Sequence, residues 1–329
     1  MQKIETLGVF KDFSDDSLKS VFSKNGNVIE MTLLFNRDDR DVVCVPTHHF
    51  CNLGCKMCHL TNDSIKKAMI PIVIDDFVYC LKNTLTENGN RITDKRKLLI
   101  SFMGVGEPLL NLQLIKSVYA YESEIKQALG YDAIGYSIST MMPNDNIKML
   151  TNEIVKINIP LKIHFSLHTP IDNKRFNLLP STHVKVSEAL EMLSNYAFEF
   201  RSNSICVDNF LQVHTDDIPV EIHYTLIDGV NDSDEELKIL CAFLKKYAIP
   251  IKFIRFNPIN KLKRSENEKK WLNTIKDEIP GLKVKAYSPP GKEVGSSCGE
   301  FTKHYYHAEI ETEEEKKQFE AWKQKHQIR

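Results

Sequence analysis

The sequence predicts an α/β protein organised as an open, partial (βα)6 barrel, and three observations lead there. Strand-like apolar runs alternate with helix-like stretches along most of the 329 residues, the pattern of a parallel sheet with crossover helices. Six strand–helix repeats can be traced, fewer than the eight that close a barrel. Each strand-like run ends in polar or Gly/Pro-containing sequence, and residues able to do chemistry gather at those ends, the edge where parallel barrels place their sites.

In order, residues 14–41 read as a helix followed by a β-hairpin around Asn25, Gly26 and Asn27, since an Asn-Gly pair supplies the left-handed backbone that a tight hairpin needs. Strands follow at 42–47, 98–103, 133–139, 161–168, 220–227 and 251–257, separated by helices near 74–87, 111–127, 144–156, 185–196 and 233–247. A helix near 265–277 precedes a short strand at 282–287. Residues 197–217 read as an irregular, polar surface insertion, and 309–329 as a charged, solvated helix. The expected division is an extension over 1–41, the barrel over 42–290, and a loop plus charged helix over 291–329.

Hydrophobic residues make up 42% and charged residues 26%, with 43 Lys and Arg against 44 Asp and Glu. That balance is globular and excludes a uniformly basic nucleic-acid coat, though not a local basic face. No run approaches the roughly 18 apolar residues of a membrane span, and the N-terminus lacks the basic-then-apolar order of a secretory signal. A soluble cytoplasmic protein with no membrane contact is expected.

Eight cysteines are too sparse for a secreted disulfide scaffold. Cys51, Cys55 and Cys58 stand in C-x3-C-x2-C spacing just after the first barrel strand. Three thiolates from one tight loop can hold three corners of a cubane iron–sulfur cluster and leave one iron open, whereas electron-transfer clusters use four. The competing reading is a zinc site with His59 as fourth ligand, although zinc usually takes two separated cysteine pairs. Cys80, Cys206 and Cys241 read as small buried hydrophobes.

The spacing, with apolar Met57 before Cys58, resembles the signature of the radical S-adenosylmethionine (radical SAM) enzymes. Further segments resemble the RlmN/Cfr group of adenine methyltransferases within that superfamily. Met103 to Asn111 (MGVGEPLLN) matches the group's MGxGEPLLN; Ser166, Leu167 and His168 open a segment similar to its SLHAP; Arg175 and Leu178–Leu179–Pro180 follow as in R-x-x-L-x-P. Ser137, the segment 221–234 and Asn257 match at later strand ends. The resemblance implies that Cys51, Cys55 and Cys58 bind a [4Fe-4S] cluster. It also implies that Gly106, Glu107, Ser137, Ser166, Leu167, His168 and Asn257 contact S-adenosyl-L-methionine. Cys298 and Cys44 match the group's reactive pair, and Glu30 resembles a glutamate near the transferred methyl, its spacing to Cys44 one residue longer here.

An adenine carbon flanked by nitrogens is too electron-poor to attack a methyl sulfonium, so the resemblance implies a radical route. Cys298 takes a methyl from one S-adenosylmethionine, a 5′-deoxyadenosyl radical from a second activates it, and the carbon adds to C2 or C8 of an adenine. Cys44 then resolves the protein–RNA adduct as a disulfide, which an external reductant such as flavodoxin resets. The implied substrate is ribosomal or transfer RNA, and the implied state a monomer. Known members carry a helical RNA-binding domain ahead of the barrel, and fewer than 30 residues precede Glu30 here. That motivates a second reading, the same paired-thiol chemistry on a nucleotide or other small molecule; a third is a non-catalytic zinc or iron–sulfur module. Two basic runs, 91–97 and 261–270, with Lys252 and Arg255 near the second, are the expected phosphate contacts if RNA binds, and Tyr305 and Tyr306 read as packed rather than base-stacking.

Overall fold

The computed structural model describes residues 3–37, 39–61, 67–86, 96–259, 261–290, 300–307 and 312–329. Ten strands form one sheet whose spatial order is the order of the chain. β1 (Glu5–Lys11), β2 (Leu18–Lys24), β3 (Asn27–Arg37) and β4 (Arg40–Cys44) pair antiparallel in succession. From β4 the sheet continues parallel through β5 (Lys97–Phe102), β6 (Ala133–Thr140), β7 (Leu161–Ser166), β8 (Val220–Tyr224), β9 (Ile251–Ile254) and β10 (Val284–Tyr287). Among the described residues no pairing joins β10 back to β1, so the sheet stays open.

The crossovers supply α1 (Ile74–Thr86), α2 (Leu112–Ala120), α3 (Glu122–Leu129) and α4 (Ile147–Met149), the last running into a π-helical turn, Leu150–Ile154. Next come α5 (Asp172–Leu178), α6 (Val186–Ser202), α7 (Ser204–Leu211), α8 (Asp234–Tyr247) and α9 (Glu268–Glu278). The chain ends in α10 (Glu300–His307) and α11 (Glu313–His326). Capping signals set several boundaries. Ser233 and Glu236 form a reciprocal capping box at the start of α8, and Gly130, at φ +68°, ends α3 in the left-handed conformation.

The barrel strands are two-faced because their side chains alternate. Leu98, Ile100, Phe102, Ile134, Tyr136, Ile138, Ile163 and Phe165 face the helices in the main core. The opposite face is polar. Residues in register there are Cys44, Ser101 and Ser137; one layer on, Ser139, His164 and Glu221; and beyond them Ser166, His223 and Lys252. An inward face of this kind suits a ligand-bearing interior rather than a dry core.

Five readings of the sequence are corrected. Residues 14–24 are not helical: the Ser-Asp-Asp that resembles a helix start makes turns in which Asp12 and Asp15 accept from the amides of Ser14 and Ser17, and 18–24 is β2. The hairpin at Asn25 and Gly26 forms as expected, at φ +54° and +71°. The helix expected at 111–127 breaks at Tyr121, and the one at 144–156 is reduced to α4 and its π-turn. Residues 197–217 are largely helical, because Ala197, Phe200, Cys206 and Phe210 are buried on the main core. Finally, α11 is not merely solvated, since its Phe319 and Trp322 pack on Phe301 and Phe10.

Candidate active site

The loop after β4 carries the cysteines across the C-terminal edge of the sheet, and its backbone is fixed on two sides. On one side, the amides of Thr47 and His48 donate to the Val105 carbonyl, and Gly104 donates to Val45 at 3.0 Å. Glycine is required at both positions of that turn. A Cβ on Gly104 would stand 2.7 Å from the Val45 carbonyl, and Gly106, at φ +109°, would place one 2.5 Å from Thr47 Oγ1 and His48 Nδ1. On the other side, Lys56 N–H donates to the Leu178 carbonyl at 3.0 Å, Ser181 Oγ donates to Leu53 at 2.8 Å, and Gly54 (φ +73°) leaves room for the Pro180 ring.

Cys51, Cys55 and Cys58 are half-buried and neighbours. Burial pushes the Cys51 thiol up to about 12 and Cys55 well above its ordinary value, while the amides of Leu53 and Gly106 aimed at the Cys51 sulfur work the other way. Such sulfurs are held as thiolates only if a cation joins them, and amide donors to sulfur are a usual feature of iron–sulfur sites. Among the described residues the only three donors converging within 4.8 Å are His164, Glu221 and His223. The three cysteine thiols, with backbone amides aimed at the Cys51 sulfur, are the soft donors that iron–sulfur clusters take. The donor set fits a polynuclear cluster.

The remaining expected residues fall into two groups. Ser137 is buried, with its Oγ donating to Ser101 Oγ at 3.0 Å, and Ser166 Oγ lies 3.1 Å from Ser139 Oγ, both on the polar face. Glu107 turns inward: its carboxylate accepts from the amides of Leu109 (3.0 Å) and Met141 (3.1 Å), and burial pushes it up to about 7. It thereby ties the ends of β5 and β6 together. Leu167 is buried, and Arg175 Nε donates to its carbonyl at 3.1 Å. His168 sits at φ +57°, and its Nδ1 accepts from Thr225 N–H at 3.1 Å. Burial lowers its pKa to about 3, so the ring is neutral and its proton is on Nε2. Asn257 is half-buried just past β9, beside the buried Phe256.

Cys44 ends β4, half-buried on the polar face, in register with Thr32 and Ser101. Glu30 lies two residues from Thr32 and so shares that face. It is buried, stands 3.8 Å from the ammonium of buried Lys19, and accepts from Thr302 N–H in the first turn of α10 at 3.1 Å. Cys298 lies outside the described residues.

Three features escaped the sequence reading. Met141 places its sulfur 3.4 Å from Cys55 Sγ, and a lone methionine carries no positional signal. Arg175, noted only as part of a motif, is a buried latch: besides Leu167 it donates to Met141 (2.6 Å), Ser166 (3.2 Å) and Thr182 (3.0 Å). His164, Glu221 and His223 form the third, and here a signal existed, because polar residues alternate with apolar ones in both 162–166 and 221–225. Part of each basic run is engaged within the chain. Arg264 and Arg255 both bond Glu268, Lys270 pairs with Asp234, Lys252 turns inward to Glu221, and Arg96 stacks on Tyr131; residues 91–95 lie outside the described set. Tyr306 is packed as expected, its hydroxyl accepting from Val28 N–H, whereas Tyr305, expected to be packed, is exposed.

No family model matches the chain. Curated proteins do. A probable dual-specificity RNA methyltransferase RlmN of Desulforamulus reducens is 26% identical over 302 residues, spanning 88% of this chain and 75% of that one. The chain resembles the RlmN-type methyltransferases. A second such relative, from Clostridioides difficile, is also 26% identical, over 88% of this chain and 77% of its own length. The fold is shared with the crystal structure of a radical SAM methyltransferase from Sphaerobacter thermophilus, at a TM-score of 0.68 and 21% identity, covering 91% of this chain and 81% of that one. The RlmN-type likeness therefore covers most of the chain.

Proposed function

We propose that this chain is a radical SAM methyltransferase that methylates an adenine carbon, C2 or C8, in ribosomal or transfer RNA. The observation that carries this reading is the meeting of three elements at one edge of the sheet. A three-cysteine loop lies there, the Cys44 thiol sits on the polar face, and Glu30 on that face holds α10, which begins shortly after Cys298 in the chain. The RlmN-type relatives are named as RNA methyltransferases, which supports the substrate class.

When bound, the [4Fe-4S] cluster on Cys51, Cys55 and Cys58 supplies the electron that cleaves S-adenosyl-L-methionine. The family resemblance makes Gly106, Glu107, Ser137, Ser166, Leu167, His168 and Asn257 the residues that would contact that cofactor, with Glu107 and the neutral His168 also holding strand ends in place. Cys298 acts as a thiolate on the methyl sulfonium of S-adenosylmethionine, forming an S–CH3 bond as the sulfonium C–S bond breaks and S-adenosylhomocysteine leaves. After transfer, Cys44 thiolate attacks the Cys298 sulfur; the disulfide forms as the Cys298 S–CH2 bond to the adenine breaks, and the released carbon takes a proton to leave as the methyl group of the product. A reductant such as flavodoxin returns both thiols. The working unit is a cytoplasmic monomer, divided into an extension over 1–41, a barrel over 42–290 and a thiol-bearing tail over 291–329.

The test is anaerobic reconstitution with methyl-labelled S-adenosylmethionine and either bulk RNA or free nucleotides, followed by digestion and mass spectrometry of the labelled base. Label in an RNA adenine is expected. Label confined to free nucleotides would move the substrate to small molecules, and S-adenosylmethionine that stays uncleaved would remove the radical reading.

A further inference from the structure

His164, Glu221 and His223 lie on the inward face of β7 and β8, with His223 in register beside Ser166, and no step of the methyl transfer uses them. His164 faces Glu221 in parallel register, and His223 is two residues along the same strand, so all three side chains enter the interior together. Each is more than nine-tenths buried. His164 Nδ1 and His223 Nε2 both stand 3.3 Å from one oxygen, Glu221 Oε2, and the three ligand atoms lie within 4.8 Å of one another. The imidazole rings are 4.3 Å apart and tilted by 36°.

A hydrogen-bonded polar cluster explains part of this, since His223 does bond Glu221. It leaves His164 unexplained. Its Nδ1 is fully enclosed, aimed at the carboxylate, and makes no hydrogen bond. A buried nitrogen without a hydrogen bond is unfavourable, and an ion placed between the three atoms removes that penalty. Two imidazoles and a carboxylate are the donor set of first-row divalent metals, with nitrogen–metal distances of about 2.0–2.1 Å that put neighbouring donors a little over 3 Å apart.

We infer that His164, Glu221 and His223 form a second metal site, inside the barrel, for a divalent first-row transition ion such as Zn2+. The ion cross-ties β7 to β8 through His164 Nδ1, His223 Nε2 and Glu221. Lys252 Nζ, 2.6 Å from Glu221 Oε2, then acts as the hydrogen-bond donor that ligating carboxylates ordinarily carry. Three protein donors leave a coordination position for water or an anionic oxygen facing the interior.

Zinc alone is the probe. Full-length protein with its iron–sulfur cluster assembled is equilibrated anaerobically with ZnCl2 and desalted, and iron and zinc are counted by elemental mass spectrometry. The expected result is one zinc per chain with iron unchanged, loss of that zinc in Glu221→Gln and in His223→Gln, and iron still unchanged in both. No retained zinc, zinc that displaces iron, or zinc kept by both variants overturns the site. Should the variants fail to fold, the wild-type melting temperature decides: Zn2+ raises it and Mg2+ does not, because bound ligand stabilises the folded state by mass action. An unchanged melting temperature, or an equal rise with Mg2+, overturns it as well.

Discussion

Arg175 is fully buried and donates to four acceptors drawn from the ends of β6, β7 and α5. Arg175→Lys cannot reproduce that planar fork and is expected to destabilise by more than about 2 kcal/mol in urea unfolding, because buried carbonyls lose their donors. Cluster iron should fall with it, since Met141 touches both Arg175 and Cys55. Two other residues separate chemistry from support. Cys44→Ala leaves the sheet intact, and under turnover it should accumulate a covalent protein–RNA adduct, visible as a slow band on a denaturing gel that Cys298→Ala does not form. Normal turnover by Cys44→Ala would defeat the paired-thiol scheme. Glu30→Gln keeps an oxygen for Thr302 N–H, whereas Glu30→Ala removes it. If Glu30 serves only to position α10, stability and activity are both restored by Gln. If its charge matters near the transferred methyl, Gln restores the melting temperature and not the rate.

Among the elements, the glycine turn after β5 has the narrowest tolerance. Gly106→Ala forces a Cβ into Thr47 and His48 at φ +109°, which at about 1–3 kcal/mol for such backbone should displace the Cys51 loop. The expected readout is less iron per chain, with the far-ultraviolet circular dichroism unchanged. Elements of this kind were the most legible in the sequence. The six barrel strands were placed to within a few residues because alternation and apolar runs report burial directly, and the MGVGEP turn carried its own composition. The extension was misread because Ser-Asp-Asp serves helix starts and Asx turns equally well. Residues 197–217 were misread because Cys206 and Phe210 are buried by contacts made far along the chain, which local polarity does not register. The cysteine triad was visible as spacing, whereas the Met141 contact and the Arg175 latch depend on strand ends brought together by the sheet.

The whole molecule carries several histidines whose burial holds them neutral, and this gives its stability a definite pH dependence. Burial lowers His48 to about 4 and His168 to about 3, both from 6.5, so the unfolded chain binds more protons below 6.5 and each histidine costs about 1.4 kcal/mol per pH unit there. Glu107, raised from 4.5 to about 7 by burial, acts in the opposite sense between those values and offsets one of the two. His49, His164, His214 and His223, all shifted down chiefly by burial, add to the loss. Unfolding free energy should therefore drop by at least about 1.4 kcal/mol per unit from pH 6.5 to 5, measured by urea titration at several pH values; a flat profile would contradict this balance.

Every strand lies beside its predecessor, so the nascent polypeptide can grow the fold stepwise as it leaves the ribosome, each new strand adding to the existing edge. The exception comes last. Val9 N–H donates to the Arg329 carbonyl at 3.0 Å, and Ile328 N–H returns to Val9 at 2.8 Å, sealing the outermost edge that otherwise invites aggregation. Residues 328 and 329 must therefore be made before that edge is protected, and a chain lacking them would be the adhesive species to look for in cells.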